Sequence, residues 1–233
     1  MQALLLVGGL GTRLKSVVSD RPKPMADVNG KPFLEYLLLE LKKNNITKLI
    51  MAVGYQGDMI ENYFGNGQNW GVEIQYSYEK EQLGTAGAIK NAGNLISEEY
   101  IFVLNGDTFY KAAYTDVLDL YQNGRYDMVL TLREVSDVSR YGKVELKGNH
   151  IVAFNEKEQQ QKAGLINGGI YLIHKSILDW IPNRKCSLEN EVIPQLLQEG
   201  LNIGGVVNRG YFIDIGIPED YKRFIDDVQN KVI

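Results

Sequence analysis

The alternation of apolar and polar positions along the chain predicts short buried strands interleaved with helices. Apolar runs of the length of a buried strand occur at residues 3–7, 48–53 and 100–104. Between the first two runs, residues 33–44 place apolar side chains at helical spacing. Because a strand, a helix and a second strand in succession form a parallel unit, this opening predicts a parallel sheet covered by helices.

The same alternation continues to the end of the chain, with a change of character in the middle. Residues 143–146 and 150–154 flank Lys147-Gly148-Asn149, which is typical of a β-hairpin. We therefore predict an α/β, Rossmann-like fold with a mostly parallel sheet flanked by helices and a small β-rich sub-lobe. The last predicted helix is expected to pack on the core through Tyr221, Phe224, Ile225 and Val228. The other predictions are helices at about residues 58–64, 85–92, 115–123, 188–199 and 218–228, and strands at about residues 72–77, 128–132, 168–173, 203–207 and 211–215.

Composition narrows the classes of partner and the compartment. The chain has 233 residues, which suffices for a substantial core, and its net charge of −4 with both signs interspersed argues against a nucleic-acid surface. The single cysteine, Cys186, cannot form an intrachain disulfide, which favours a reducing compartment. The N-terminal apolar run is too short for a signal-peptide core or a membrane span, so we expect a cytoplasmic protein without a membrane partner.

A glycine-rich turn follows the first strand. Gly8, Gly9 and Gly11 free the backbone to direct peptide N–H groups at an anion. The dinucleotide fingerprint fails here because its third glycine position holds Leu14, and no Gly-Lys pair of a phosphate loop follows. A purely structural turn would account equally well for the glycines alone.

Two cations near this turn favour a phosphate site over a structural turn. Arg13 lies just past the glycines, and Lys23 stands between Pro22 and Pro24. The two prolines narrow the local φ range, so we expect an extended segment that mounts the lysine stiffly.

Two aspartates are candidate ligands for a hard cation. Asp107 follows the strand at residues 100–104, at the carboxyl end where open sheets bind ligands. Asp214 interrupts an apolar strand, where a carboxylate needs a partner. Mg²⁺ takes one or two carboxylates together with phosphate oxygens and water, so the pair could hold it. The alternatives are an ordinary Asn-Gly-Asp turn for Asp107 and an ion pair, with Arg209 for example, for Asp214.

Three further stretches carry polar residues that are ordinary when taken singly. Glu79 opens a glycine-containing loop before a helix, whose N-terminus could face an anion or a ring. Glu156 and Lys157 follow a strand as a charge pair, and Asn167 opens another strand. Neither histidine lies near a serine or cysteine in a nucleophilic pattern, so covalent catalysis has no support.

In chain order these stretches read GGLGTRL (8–14), PKP (22–24), LGTAG (83–87), NGD (105–107), RYG (140–142), FNEK (154–157), NGGIY (167–171) and DIGIPEDY (214–221). Together they resemble the sugar-1-phosphate nucleotidyltransferases over nearly the whole chain. The chain is most similar to guanylyltransferases that act on D-glycero-α-D-manno-heptose 1-phosphate, and then to mannose-1-phosphate guanylyltransferases. It departs from the family pattern at Gln82, where proline is usual, and at Ile217, where threonine is common.

The resemblance implies one nucleotidyltransferase domain over residues 1–233, with a nucleotide-binding part at about 1–110 and a sugar-binding, metal-completing part at about 111–233. A homo-oligomer is compatible with it. Arg13 and Lys23 are implied as catalytic residues, and Asp107 and Asp214 as ligands of Mg²⁺. Gly142, Glu156, Lys157 and Asn167 are implied at the sugar phosphate. The residues implied at the nucleotide are Leu6, Gly8, Gly9, Gly11, Thr12, Arg13, Glu79, Gly84, Thr85, Ala86 and Asn105.

The implied reaction is in-line attack of a sugar 1-phosphate oxygen on the nucleotide α-phosphorus, with release of pyrophosphate. GTP is expected as the donor because the Glu79 carboxylate can accept from the two neighbouring donors of guanine, N1–H and N2–H₂. The expected product is a GDP-sugar, GDP-heptose in the first instance, for bacterial surface polysaccharide synthesis. Mannose 1-phosphate, or UTP or dTTP with a hexose 1-phosphate, remains an alternative, as does a non-catalytic subunit that senses nucleotide sugars. A glycosyltransferase would be expected to carry an Asp-x-Asp motif where this chain has Asn105-Gly106-Asp107.

Overall fold

Helices and strands alternate along the chain in the order that the hydrophobic pattern predicts. The structure is a computed structural model and describes residues 1–9, 11, 14, 16–139, 142–155 and 162–233. Each predicted helix and strand has a counterpart there, and the fold class is α/β as expected. In chain order the elements are β1 (Gln2–Leu6), β2 (Asp27–Val28), β3 (Lys31–Pro32), α1 (Phe33–Lys43), β4 (Lys48–Val53), α2 (Gly57–Phe64), β5 (Glu73–Tyr78), α3 (Gly84–Asn91), β6 (Tyr100–Asn105), β7 (Thr108–Tyr110), α4 (Tyr114–Gly124), β8 (Met128–Val135), β9 (Lys143–Lys147), β10 (His150–Asn155), β11 (Gly164–His174), α5 (Ile177–Trp180), α6 (Ile193–Gln198), β12 (Ile203–Val207), β13 (Phe212–Asp214) and α7 (Pro218–Gln229).

Two local differences from the predicted elements have plain causes. The short hairpin β2–β3 was missed, although its turn carries the Asn29-Gly30 pair, both at positive φ, that favours tight hairpins. The helix predicted at 188–199 begins as a π-helical turn, Leu188–Val192, before α6. Pro194 lacks an N–H for the regular i→i−4 ladder, which favours such an interruption.

Contacts divide the chain into two compact units, and the first contains both ends of the chain. It comprises residues 1–82, 104–111 and 211–233. Its strands β5, β4 and β1 lie side by side in that order and are parallel, as predicted. It also contains the antiparallel pair β7–β13, which becomes important for the site.

The core of the first unit gathers around aromatic side chains from α1, β7 and α7. Phe33 and Phe224 approach with ring centroids 4.9 Å apart, and Phe109 lies 5.5 Å from Phe224. The four residues predicted to seat the last helix all join this cluster: Tyr221 and Phe224 are buried within it, and Ile225 and Val228 pack against it. Burial of this apolar stripe holds α7, and therefore the end of the neighbouring β13, in place.

The second unit comprises residues 83–103 and 112–210, and its sheet is mixed. The strand order is β6-β11-β8-β12-β10-β9, with residues 100–103 of β6 included. Strands β8 and β12 are parallel, whereas β11 with β8 and β10 with β12 are antiparallel. The predicted hairpin is present as β9–β10, with Gly148 at positive φ in its turn. In the part of the chain that the structure describes, no helix is long and apolar enough to cross a bilayer.

Candidate active site

The glycine turn after β1 is in contact with the carboxylate of Glu79. A Cβ atom on Gly8 would lie 2.6 Å from Oε1 of Glu79 and 3.1 Å from the backbone nitrogen of Gly54. Glu79 itself follows β5, and its N–H donates to the carbonyl of Val53 at 2.8 Å. A side chain at position 8 would displace the Glu79 carboxylate, so the glycine lets Glu79 reach the turn.

The same turn also contacts the lysine between the prolines. Gly11 has φ +58°, a left-handed conformation that favours glycine, and a Cβ there would lie 2.9 Å from Cβ of Lys23. The turn and Lys23 are therefore packed together, as a joint phosphate site requires. Thr12 and Arg13, also predicted at this site, lie outside the described residues.

Lys23 is held differently from the sequence prediction. The expected extended segment is wrong, because Lys23–Met25 forms a 3₁₀ turn in which Met25 N–H donates to the Pro22 carbonyl at 2.8 Å. Pro22 remains extended, at φ −65° and ψ 146°, but Pro24 tolerates the turn because its fixed φ suits helical geometry. The prolines still restrict the backbone, and the Lys23 side chain is buried, with 8% of its surface exposed.

Both predicted aspartates meet this lysine. The Lys23 Nζ atom lies 2.7 Å from Asp107 Oδ2 and 3.6 Å from Asp214 Oδ1. The ion pair considered for Asp214 is thus present with Lys23. The two carboxylates and one ammonium leave one net negative charge at this point of the first unit.

The pairing of β7 with β13 brings the two aspartates together. Asp214 lies opposite Thr108, the neighbour of Asp107, and the Ile215 N–H donates to the Asp107 carbonyl at 3.0 Å. Asp214 is oriented further by the Gly216 N–H, which donates to its Oδ1 at 2.7 Å. Residues more than one hundred positions apart are therefore fixed side by side by backbone hydrogen bonds.

Gly106 seats the loop that carries Asp107 against the end of β1. Its N–H donates to the Leu6 carbonyl at 3.0 Å, and a Cβ on it would lie only 2.6 Å from that oxygen. Asn105, the last residue of β6, immediately precedes it. Of the two predicted nucleotide residues, Asn105 lies two positions before Asp107 in the chain, and Leu6 contacts the loop of Asp107 through its carbonyl.

The donor set fits a magnesium ion that is completed by substrate. Among the described residues, no group of three or more His, Cys, Asp or Glu could hold a metal unaided. Asp107 and Asp214 supply two carboxylates, and Mg²⁺ commonly takes one or two together with phosphate oxygens and water. Lys23 shows that both carboxylates can serve one cation at once.

In the second unit, the start of α3 is tied to the segment around Cys186. Gly84 has φ +72°, and a Cβ on it would lie 2.5 Å from the Cys186 carbonyl. That carbonyl accepts from the N–H groups of Ala86 and Gly87 at 3.1 and 3.3 Å. These two N–H groups of the predicted nucleotide loop are therefore already hydrogen-bonded within the second unit. Burial raises the pKa of the Cys186 thiol, in keeping with a structural role.

Asn167, a predicted sugar-site residue, makes two hydrogen bonds through its side-chain amide. Its Oδ1 accepts from Gly169 N–H at 3.0 Å, and its Nδ2 donates to the Tyr171 hydroxyl at 2.5 Å. The register of β11 against β8 shifts between residues 167 and 171, which re-aims these side chains. Gly142 lies just before β9, and Glu156 and Lys157 lie outside the described residues.

Sequence reasoning missed Glu189, which joins these two regions of the second unit. Its carboxylate accepts from Tyr171, the partner of Asn167, and from the hydroxyl of Thr85 in α3. In the sequence it reads as an ordinary acidic residue in the first turn of a helix. The sequence around Glu189 carries no signal of its own. The only available indication was that two of the residues it links, Thr85 and Asn167, belong to motifs.

Comparison with known proteins gives a consistent result. A family model described as "Nucleotidyl transferase" matches residues 2–231. A D-glycero-alpha-D-manno-heptose 1-phosphate guanylyltransferase of Campylobacter jejuni is 44% identical over 97% of this chain and 99% of its own length. Another, from Aneurinibacillus thermoaerophilus, is 40% identical over the full length of both chains. The crystal structure of HddC from Yersinia pseudotuberculosis complexed with GMP-PN is similar at a TM-score of 0.85 and 36% identity, covering 97% of this chain and 99% of that one.

Proposed function

The chain belongs to the nucleotidyl transferase family, and from that premise we propose that it transfers a guanylyl group from GTP to a sugar 1-phosphate. The products are a GDP-sugar and pyrophosphate. The observation that carries the proposal is the Lys23 ammonium, which lies between the carboxylates of Asp107 and Asp214 beside a glycine turn. This arrangement suits phosphoryl transfer, in which a protein acts mainly by positioning and by neutralising charge.

The sugar we propose is D-glycero-α-D-manno-heptose 1-phosphate. Support comes from the two heptose 1-phosphate guanylyltransferases, which match this chain over nearly their whole length. Mannose 1-phosphate is the second candidate because it shares most of its ring with the heptose. A difference of one hydroxymethyl group changes specificity by only about 1–3 kcal/mol, so both sugars belong in the same assay.

In the proposed reaction, an oxygen of the sugar phosphate attacks the α-phosphorus of GTP. The new bond joins that oxygen to phosphorus as the bond to the β-phosphate oxygen breaks, so pyrophosphate leaves without a covalent enzyme intermediate. Lys23 neutralises charge on the phosphates near the reacting centre, and Arg13 holds the β- and γ-phosphates. Lys23, held by its two ion pairs, acts as a pre-positioned electrostatic group.

Members of this family generally use a divalent metal ion, and we propose Mg²⁺ for this chain. Asp107 and Asp214 would hold it, since carboxylates are its preferred protein ligands. When bound, the ion supplies positive charge to the phosphate oxygens. The Gly216 N–H keeps Asp214 oriented by donating to its Oδ1.

We propose that Glu79 reads the guanine base. Its carboxylate can accept from N1–H and N2–H₂ together, whereas the uracil or thymine edge mixes donors and acceptors and suits an amide. Support comes from its position 2.6 Å from where a Gly8 Cβ would be, which places the carboxylate against the phosphate turn. In Glu79→Gln, the preference for GTP over UTP in kcat/KM should fall by about tenfold, the worth of one charge-assisted hydrogen bond. An unchanged preference would remove Glu79 from base reading.

The remaining binding residues divide between the two substrates. The sugar phosphate is assigned to Gly142, Glu156, Lys157 and Asn167, and the nucleotide to the glycine turn with Leu6, Thr12, Asn105, Gly84, Thr85 and Ala86. Thr85 contributes to the nucleotide site through its backbone, because its hydroxyl donates to Glu189 and accepts from the Leu188 N–H. Because GTP is the donor, we place the reaction in the cytoplasm.

The experiment that tests the function is a substrate panel with the purified protein. Four nucleoside triphosphates are combined with the 1-phosphates of D-glycero-α-D-manno-heptose, mannose and glucose in Mg²⁺, and pyrophosphate is measured. GTP with the heptose should give the highest kcat/KM. Activity highest with UTP and glucose 1-phosphate would contradict the proposed substrates, and binding without pyrophosphate release in every pair would favour a sensing subunit.

A further inference from the structure

A connected set of hydrogen bonds converges on Glu189 in the second unit. Its Oε1 accepts from the Tyr171 hydroxyl at 2.7 Å, and its Oε2 accepts from the hydroxyls of Thr85 at 2.7 Å and Ser187 at 3.1 Å. Tyr171 in turn accepts from Asn167 Nδ2 at 2.5 Å. One carboxylate therefore links the start of α3 to Asn167 in β11.

The donor and acceptor roles in this set of hydrogen bonds can be assigned in only one way. An ionised carboxylate only accepts, so Tyr171 must give its single hydroxyl proton to Glu189 and accept from Asn167. Asn167 Oδ1 is engaged by the Gly169 N–H, so the amide cannot turn over without losing both bonds. Glu189 thus fixes which way the Asn167 amide faces, leaving its second N–H to point elsewhere.

The hydrogen bond between Thr85 and Glu189 also points towards the carboxylate. Thr85 Oγ1 accepts from the Leu188 N–H at 2.8 Å and gives its proton to Glu189. Leu188 and Glu189 open the π-helical turn, a rare geometry that is frequent at functional sites. The turn presents the backbone donor and the carboxylate acceptor to the same hydroxyl of Thr85.

We propose that Glu189 is a positioning residue that orients Asn167 for the sugar 1-phosphate through Tyr171 and fixes the start of α3 through Thr85. The inference rests on the proposed function, in which Asn167 binds the sugar phosphate and α3 begins at the nucleotide site. Tyr171, the middle of the relay, is fully buried, so its hydroxyl is shielded from competing water. A merely structural network would stabilise the fold without acting on either substrate selectively.

The first test removes one arm without leaving a cavity. Tyr171→Phe keeps the buried ring and deletes the hydroxyl that orients Asn167. The KM for the sugar 1-phosphate should rise by about tenfold, the worth of one oriented hydrogen bond, while the KM for GTP changes less than about twofold. The matched control is Tyr126→Phe, which removes a buried hydroxyl hydrogen-bonded to His150 in the same unit and should change neither KM.

A double-mutant cycle separates orientation of Asn167 from a structural effect. In an Asn167→Ala background, Tyr171→Phe should raise the sugar KM no further, because the hydroxyl has lost the group through which it acts. If Tyr171→Phe raises the sugar KM equally in both backgrounds, or leaves it unchanged in the wild-type background, the proposed role is refuted. Melting temperatures of all variants show whether any change follows loss of fold instead.

Glu189→Gln tests the junction of the two arms. The amide is nearly isosteric but has only one accepting oxygen, so Tyr171 and Thr85 cannot both donate to it. Both the sugar KM and the GTP KM should rise. In the control Glu191→Gln, in the same turn, the pair with exposed Arg184 is lost while the amide oxygen can still accept from the Ser187 N–H, so both constants should stay within about twofold. Unchanged constants in Glu189→Gln would overturn the proposal.

Failure of the proposed function is distinguishable from failure of this inference. If the wild-type protein releases no pyrophosphate with GTP and any sugar 1-phosphate, the function fails and the inference falls with it. If the wild-type protein is active and Tyr171→Phe has the wild-type KM for its sugar 1-phosphate, only the inference is refuted.

Discussion

Replacing Lys23 with methionine should abolish most activity at a moderate cost in stability. The substitution keeps an apolar stem against Gly11 and deletes the ammonium that lies 2.7 Å from Asp107 and 3.6 Å from Asp214. Loss of one partner of a fully buried ion pair costs about 3–5 kcal/mol, and of an exposed pair about 0–1 kcal/mol. The Asp107 and Asp214 side chains are 40% and 20% exposed, so water can solvate both, and we expect a loss of about 1–3 kcal/mol.

The effect on the rate should be much larger. One pre-positioned charged or donor group at a reacting centre contributes about 10²–10³ to kcat, so kcat of Lys23→Met should fall by at least that factor. The assay is initial-rate pyrophosphate release with saturating GTP and sugar 1-phosphate, paired with urea unfolding of the same preparation. A kcat within about twofold of wild type would remove Lys23 from the mechanism.

The chain offers a matched control in the same unit. Lys31 makes an ion pair of the same 2.7 Å length, with Glu35, but its side chain is 52% exposed and outside the proposed site. Lys31→Met would leave the Glu35 carboxylate, only 8% exposed, with the Tyr63 hydroxyl as its donor, so it should cost about 1–3 kcal/mol, as Lys23→Met does, and leave kcat unchanged. Equal loss of activity in both variants would mean that the charge change, rather than the position of Lys23, lowers the rate.

Three further predictions address packing, pH and thiol chemistry. In Gly106→Ala, the new Cβ would lie 2.6 Å from the Leu6 carbonyl, so urea unfolding should show a loss of about 1–3 kcal/mol and kcat should fall as the Asp107 loop moves. Burial is the largest single influence on Glu35 and would raise its pKa, but the hydrogen bonds from Lys31 and Tyr63 and the Lys31 charge together outweigh it, so the net pKa is lowered. The ionised Glu35 therefore contributes its full stabilisation above its unfolded pKa of about 4.3, and this contribution is lost as the pH falls through the lower folded pKa. Below about pH 4.3, the unfolding free energy should consequently fall less steeply in Glu35→Gln than in wild type. Because burial raises the pKa of Cys186, the native protein should react with iodoacetamide at pH 7.5 far more slowly than the urea-unfolded chain; equal rates would contradict its burial.

The sequence predicted those features that depend on local pattern. The period of apolar residues identified each predicted helix and strand, and the apolar stripe of α7 identified the four side chains that seat it on the core. The position of Asp107 at the end of β6 followed from the general behaviour of open sheets. These inferences succeed because each depends on neighbours a few residues away.

Features that depend on distant pairing could not be predicted from the pattern. The approach of Lys23 to both aspartates requires β13, which the pattern predicted, to pair with β7, a three-residue strand that leaves almost no periodic signal. The 3₁₀ turn at Lys23 depends on the Pro22 carbonyl accepting from Met25, which the proline pattern alone does not specify. The role of Glu189 depends on the fold, which brings the hydroxyls of Thr85 and Tyr171 to its two carboxylate oxygens.

The most direct test of the proposed function is to follow the phosphorus atoms of GTP through the reaction. The wild-type protein is incubated with Mg²⁺, D-glycero-α-D-manno-heptose 1-phosphate and GTP labelled at the α-phosphorus in one sample and at the γ-phosphorus in another. The α-label should appear in a GDP-sugar and the γ-label in an equimolar amount of pyrophosphate, because the bond between the α- and β-phosphates is the one that breaks. Release of the γ-label as inorganic phosphate, or of the α-label as GMP, would contradict guanylyl transfer.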